Sequence, residues 1–483
     1  MERLFEYSEE NLPLYIFEEI SRIPRESGNE TEIRDFLIQR AQDKGFEAVY
    51  DEANNVIIKK PGSKGYEDYP PIILQAHMDM VCEKLTTSEH DFRYDPIELL
   101  VDGDLVRAAG TTLGADDGIG VALGMSVLES DGFSHPPLEF LFTAEEETSF
   151  HGAESINGKL FKGHRVINLD FSEDDKIVVG SCGGVGMKVK LLVQKERIVR
   201  DNGKAWEISI TGMPGGHSGE DVNKGHGSAI QLMTRVLRQL LRQFDIGLVS
   251  LKGGSNRLAL ARECKAVVLT YADLLPTLKK MQQIFINEYG EVTSDLEISV
   301  KQVEVDGLKY SGDGFDRIMT LVTLFPDGIM QMNGAFPGVV GSSINMGIVD
   351  EREGQFYIEA EIRGDRVSTI LDIAEKVAHL VEIKGGTWEK FGNYAPWQYN
   401  PESQLCKKAM EVYEETFGEI MTPMVLHAGL ECSLLGDNIS NMDAISIGPN
   451  MWNCHSPNEQ LSISSTKKVW RYLKLLLGSL GDL

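Results

Sequence analysis

Hydrophobic positions change their period several times along the chain, and the changes divide it. In "SGNETEIRDFLIQRAQDKG", Ile33, Phe36, Leu37 and Ala41 recur at helical spacing. Asn29 stands as the cap with Glu32 three residues on, the arrangement of a capping box, and Gly45 stops the helix. Short apolar runs bounded by polar residues follow in "FEAVY", "NNVIIKK" and "PPIILQAH", then in "LEFLFTA" and "HRVINLDF". Such runs predict strands, the last two buried. After "GADDG", "IGVALGMSVLES" predicts a helix. Strands alternating with helices imply an α/β fold with a mostly parallel, helix-covered sheet.

The middle of the chain has another texture. "CKAVVLTYAD", "LPTLKKMQQIFINEYG" and "DLEISVKQVE" predict strand, helix, strand, and "FYIEAEIRGD", "VSTILDIAEKVAHLVEIKGG" and "TWEKFGNY" repeat the order. A repeated order at this spacing suggests an α+β region built from two related halves. "NYAPWQYNP" marks the return crossing, and helical patterns resume from "SQLCKKAMEVYEETFG" to "TKKVWRYLKLLLGSL". The expected organisation is a catalytic domain in two parts, 1–185 and 393–483, with a lid domain at 186–392 inserted between them.

Composition narrows the function classes. The 483 residues carry a formal net charge of −27, with 42% hydrophobic and 25% charged residues. That balance argues against nucleic acid or an anionic membrane as partner and leaves carboxylates available for cations. No run of 18 apolar residues and no signal-peptide pattern is read, and the six cysteines form no C-x-x-C pair. Reduced thiols and a cytoplasmic location are expected.

The candidate chemistry lies where the predicted strands end. "ILQAHMDMV" puts His77 and Asp79 two residues apart, on one face of an extended chain. A carboxylate beside a histidine fixes its tautomer and raises its basicity. "TTLGADDGIG" supplies Asp116 and Asp117, "FTAEEETSFHG" the run Glu145–Glu147, "INLDF" Asp170 and "NCHSPNEQ" His455. An open α/β sheet presents its ligands beyond the carboxyl ends of its strands. Two histidines with three or more carboxylates make a nitrogen/oxygen set suited to zinc, with manganese or cobalt as possible substitutes. A pair of metals would need a bridging carboxylate, a reason for an acid in the "GADDG" turn.

"LQAHMDMV", "TLGADDGIG", "TAEEETSFHGA", "INLDFSEDDKIVVGSCGG", "GMPGGHSG", "VLHAGLECSLL" and "ISIGPNMWNCHSPNE" occur in this order, with "EEISRIPRESGNE" near the start. Together they resemble the aminoacyl-histidine (Xaa-His) dipeptidase branch of the two-zinc exopeptidases and aminoacylases, nearly end to end. The resemblance implies His77, Asp116 and Asp170 on one zinc and Asp116, Glu147 and His455 on the other. It implies Asp116 as the bridge, a cis peptide between Asp116 and Asp117, and Asp79 in support of His77. Glu146 would be the general base and His217 of "GMPGGHSG" the oxyanion donor. Arg363 of "EAEIRGD" would hold a substrate carboxylate, with Asn345 and His427 also lining the substrate. A closing lid would bring His217 and Arg363 to the metals. The implied protein is a dipeptidase with two zinc ions per chain, small peptides as partners, and a monomeric or homodimeric state. Two readings stay beside it: an amidohydrolase of N-acyl amino acids or a tripeptide aminopeptidase, and a non-catalytic binding protein on the same fold.

Overall fold

The computed structural model describes residues 3–199 and 203–482. The first amphipathic pattern forms helix Thr31–Asp43, which buries Ile33, Leu37 and Ala41. The capping box does not form. Glu30 occupies the cap position, and no side chain caps the helix. Asn29 gives its backbone N–H to the Glu26 carbonyl. The Glu30 carboxylate instead accepts the N–H groups of Gly28 and Glu145.

Contacts divide the chain into two compact units, Met1–Ser181 with Trp397–Val425 and Leu430–Leu483, and Cys182–Pro396 with Leu426–Gly429. The main sheet of the first unit runs in the spatial order Glu47–Tyr50, Val56–Lys60, Leu138–Thr143, Ile72–His77, Arg165–Asn168, Asp443–Ser446, Lys176–Ser181, Thr422–Leu426. Its four central strands, 138–143 to 443–446, are parallel. Val56–Lys60 on one flank and Lys176–Ser181 on the other pair antiparallel. Strands Ile72–His77 and Leu138–Thr143 are buried throughout, as parallel strands covered on both faces must be. Helix Ala115–Glu129 packs against strand Ile72–His77 and helix Leu12–Ile20. It is apolar on nearly every side, the mark of a core helix.

The sheet of the second unit runs Glu297–Val303, Lys204–Thr211, Cys264–Thr270, Gly247–Gly253, Val340–Arg352, Gln355–Gly364, Gly183–Leu191, Thr387–Tyr394. Two halves meet between 247–253 and 340–352, and a ninth strand, Gly328–Met332, pairs with 340–352 beside this order. In each half the chain makes a strand (204–211 or 183–191), a helix (229–241 or 312–324), two neighbouring strands, a second helix (275–289 or 367–383) and an outer strand (297–303 or 387–394). The first half is inserted after the opening strand of the second. One apolar core, with Ile230, Met233, Leu237, Ile318, Val322, Ala374 and Val377 from the helices, lies against this sheet. Among the described residues no helix is long and apolar enough to cross a membrane. All six cysteines are free thiols.

Candidate metal centre

Strand Ile72–His77 ends on His77, and strand Leu138–Thr143 runs out three residues before Glu146. The imidazole of His77 is in contact through both nitrogens. Its Nδ1 lies 3.2 Å from the Asp79 carbonyl and 3.4 Å from Asp79 Oδ1. Its Nε2 faces carboxylates: Asp116 Oδ1 at 3.2 Å, Glu146 Oε2 at 3.9 Å and Asp170 Oδ1 at 4.0 Å. Asp79 is fully buried and does more than orient this ring. Its Oδ1 accepts the Glu146 N–H at 3.0 Å, and its Oδ2 accepts the Glu147 N–H at 3.1 Å and the Ser27 hydroxyl at 2.7 Å. One carboxylate thus fixes the histidine and the start of the acidic run together.

The two neighbouring aspartates have different work. The peptide between Asp116 and Asp117 is cis. Asp116 turns Oδ1 to His77 and Oδ2 to His455 Nε2, each at 3.2 Å. Asp117 faces the chain: its carboxylate accepts the His77 N–H at 3.2 Å and the Gly120 N–H at 3.1 Å. The second bond caps the regular part of the helix, which starts after the non-helical residues Asp116 and Asp117. A Cβ at position 120 would run into the Asp117 carboxylate, so glycine is required for this approach.

Three groups of side chains offer ligand atoms within 4.8 Å of one another: His77, Asp116 and Asp170; Asp116, Glu147 and His455; and His77, Glu146 and Glu147. The first two share Asp116, whose oxygens point to the two histidines. Glu147 Oε1 is buried and accepts no hydrogen bond among the described residues; it faces His455 Nε2 at 3.1 Å without hydrogen-bond alignment.

The charge of this cluster is unbalanced. Burial, with Glu147, Glu431 and Asp116 adding to it against the pull of His77, pushes the Glu146 carboxyl well above its usual range. Burial and the Asp116 and Asp117 carboxylates do the same to Asp170. Glu147 is raised by burial and by Asp116. Asp116 goes the other way: despite burial, His455 and His77 hold it low. The hydrogen bond to Asp116 and the nearby Glu147 carboxylate raise His455 to about 11. Among the described residues no lysine or arginine is ion-paired to Asp116, Glu146, Glu147 or Asp170. A set of half-buried carboxylates with two imidazoles and, among the described residues, no lysine or arginine paired to them fits divalent metal ions, which supply positive charge.

Spacing in the sequence does not mark the polar groups behind these residues. Glu431, within "HAGLEC", is fully buried; its Oε2 accepts the Gln75 amide and, at 2.7 Å, the Thr143 hydroxyl. It joins the strand that ends on His77 to the strand that leads to Glu146. Burial raises its carboxyl to about 7. Arg25 and Glu459 were also passed over, although both lie in the stretches "EEISRIPRESGNE" and "NCHSPNE". Glu145 joins none of the three ligand groups. Its backbone is left-handed at φ 56° and its carboxylate accepts the Ser149 hydroxyl. His90, His135, His151, His164 and His379 also join none of them.

In the second unit Arg363 and His217 lie together. Arg363 Nη1 donates to the Tyr394 hydroxyl at 2.8 Å and Nε to Ser218 Oγ at 3.3 Å, while Nη2 is 3.1 Å from His217 Nε2. The Glu220 N–H donates to His217 Nδ1 at 3.2 Å. Arg363 can only donate, so donors face both nitrogens of this ring, and one contact must open for the ring to carry a proton. His427 Nε2 and Ser343 Oγ are 2.7 Å apart, and burial with the nearby Arg363 and His217 lowers His427 to about 3. His427 is therefore a neutral ring at physiological pH. Asn345 is already committed through its amide nitrogen, which donates to the carbonyls of Arg257 at 2.7 Å and Ala259 at 2.9 Å. Ala259 forms a β-bridge with His217. Asn345 thus holds the segment beside His217 and keeps only its side-chain oxygen for other partners. His226 Nδ1 is 2.6 Å from the Gly215 carbonyl, a contact within its own loop.

Residues 73–479 match the family described as peptidase family M20/M25/M40. The chain is 34% identical over 476 residues to the cytosol non-specific dipeptidase of Escherichia coli K12, covering 96% of this chain and 97% of that protein. The crystal structure of aminoacylhistidine dipeptidase from Vibrio alginolyticus superposes with a TM-score of 0.85 at 31% identity, over 98% of both chains. An aminopeptidase PepT from Bacillus cereus shares the fold at a TM-score of 0.56 and 14% identity, over 98% of both chains.

Proposed function

The chain belongs to peptidase family M20/M25/M40, and from that premise we propose that it is a two-metal dipeptidase. His77, Asp116 and Asp170 would hold one zinc ion, and Asp116, Glu147 and His455 the other, with manganese or cobalt as substitutes. The observation that carries this reading is the pair of ligand groups that share Asp116, with Glu146 beside them. When bound, the cations supply Lewis acidity and make a water acidic enough to attack near neutral pH.

The side chains then have separate tasks. Glu146 takes a proton from the attacking water and delivers it to the nitrogen of the leaving amine, so that the C–N bond breaks to give an acid and an amine. Asp79 holds the His77 ring and the Glu146 backbone in place. His217 donates its Nε2–H to the oxyanion of the tetrahedral intermediate. Arg363 binds the C-terminal carboxylate of the substrate through its planar donors, and His427 lines the substrate beside it. The committed amide of Asn345 makes it a support of the His217 segment, with its oxygen left for substrate. A non-catalytic binder on this fold would have no use for Glu146. Dipeptides of the Xaa-His type, and others beside them, are the substrates assigned, in line with the names of the two relatives above 30% identity. We place the reaction in the cytoplasm, in line with six free thiols and the name of the E. coli relative.

The test is a hydrolysis panel of free dipeptides, the same dipeptides acetylated at the amine or amidated at the carboxylate, N-acyl amino acids and tripeptides. Free dipeptides, Xaa-His among them, are expected to be cleaved, and N-acetylated ones and tripeptides to resist. Arg363→Ala should raise KM strongly for free dipeptides and much less for amidated ones. Preference for N-acyl amino acids or tripeptides would move the protein to the neighbouring activities, and equal losses on free and amidated substrates would remove Arg363 from the carboxylate.

A further inference from the structure

Two buried residues outside the ligand groups brace the segment that carries Asp116. Glu459, 2% exposed, lies four residues beyond His455. One of its oxygens accepts the N–H groups of Leu113 at 2.8 Å and Gly114 at 2.9 Å. The other accepts those of Ala115 at 2.8 Å and Asp116 at 3.2 Å. Four consecutive backbone donors thus converge on one carboxylate. They stand at the amino end of helix Ala115–Glu129, where the cap residue Gly114 contributes no side chain. An anion there satisfies orphaned donors and meets the positive end of the helix dipole.

Arg25, also 2% exposed, supplies the complementary half. Its Nη1 donates to the carbonyls of Met78 and Asp79, each at 3.0 Å, and its Nη2 to the carbonyl of Gly114. Gly114 is left-handed at φ 68°, and a Cβ there would strike the Arg25 guanidinium. The turn therefore demands glycine twice over.

Burying a guanidinium and a carboxylate costs more than packing apolar side chains in the same volume. Both are spent on the backbone of ligand-bearing segments. Arg25 ties the stretch after His77 to the turn before Asp116, and Glu459 ties that turn to the loop of His455. We propose that Arg25 and Glu459 are positioning residues that set the placement of Asp116, and through it the affinity of both metal subsites. The proposal rests on the metal assignment made above.

The experiment is zinc binding by metal-stripped protein, measured by competition with a chromophoric chelator, with stoichiometry from elemental analysis. Glu459→Gln keeps the volume and removes one full acceptor. In folded protein, checked by circular dichroism at the assay temperature, its zinc affinity should fall about 10- to 100-fold, the usual effect of removing a group that orients a metal ligand. Arg25→Lys should act in the same direction. Leu473→Ala removes a buried side chain of helix Ile463–Ser479 and serves as control; it should lower Tm and leave zinc affinity unchanged. Should Glu459→Gln fail to fold, Glu459→Asp, which keeps the charge and shortens the reach, carries the same expectation. Native zinc affinity in the folded Glu459 variant would overturn the brace. Wild-type protein that takes up no zinc would overturn the metal assignment instead, so the two failures are distinguishable.

Discussion

Glu146→Gln should bind two metal ions and dipeptide normally yet turn over at least ~10²-fold more slowly, the low end for losing a general base. The amide keeps the shape of the side chain and cannot accept a proton at the reacting water. Glu146 lies 3.9 Å from His77 Nε2, in a cluster where burial keeps its affinity for protons high. Its neighbour answers differently. Glu147 belongs with Asp116 and His455, so Glu147→Gln should weaken one metal site, with partial rescue by excess zinc. Metal analysis and single-turnover kinetics on both variants separate the roles. A Glu146→Gln protein that loses a metal, beside a Glu147→Gln protein that keeps both, would shift the register of "AEEET" by one residue.

His217→Ala should lower kcat by about 10²–10³, the cost of one oxyanion donor, with metal content unchanged. The physical basis is the Glu220 N–H on Nδ1, which favours a proton on Nε2 once Arg363 Nη2, a donor 3.1 Å away, turns to the substrate carboxylate. An increase in KM alone would make His217 a ground-state binder, and loss of a stoichiometric metal would make it a ligand.

Parallel strands were readable because they are buried on both faces and leave continuous apolar runs, as in "PPIILQAH" and "LEFLFT". Residues at the ends of those runs were readable for the same reason. What failed was capping, which is not local here. Asn29 and Glu32 have the spacing of a capping box, but the carboxylate beside them, Glu30, is spent on Gly28 and on the distant Glu145. Asp116 stands at a helix start whose amide donors are satisfied by Glu459, from the far end of the chain. No spacing rule reaches that far. Asn345 reads as a polar side chain open to substrate, whereas two carbonyls of the loop at Arg257 and Ala259 claim its amide. The repeat in the second unit was visible only as strand, helix, strand. The opening strand of the later half, Gly183–Leu191, precedes the whole of the first half, so the full order is not contiguous.

The most direct test is to strip the protein of metal with a chelator and titrate zinc back, following dipeptide hydrolysis and bound zinc in one series. Hydrolysis should be lost on stripping and return as zinc approaches two ions per chain. Full dipeptide hydrolysis by protein shown to hold no metal would contradict the account.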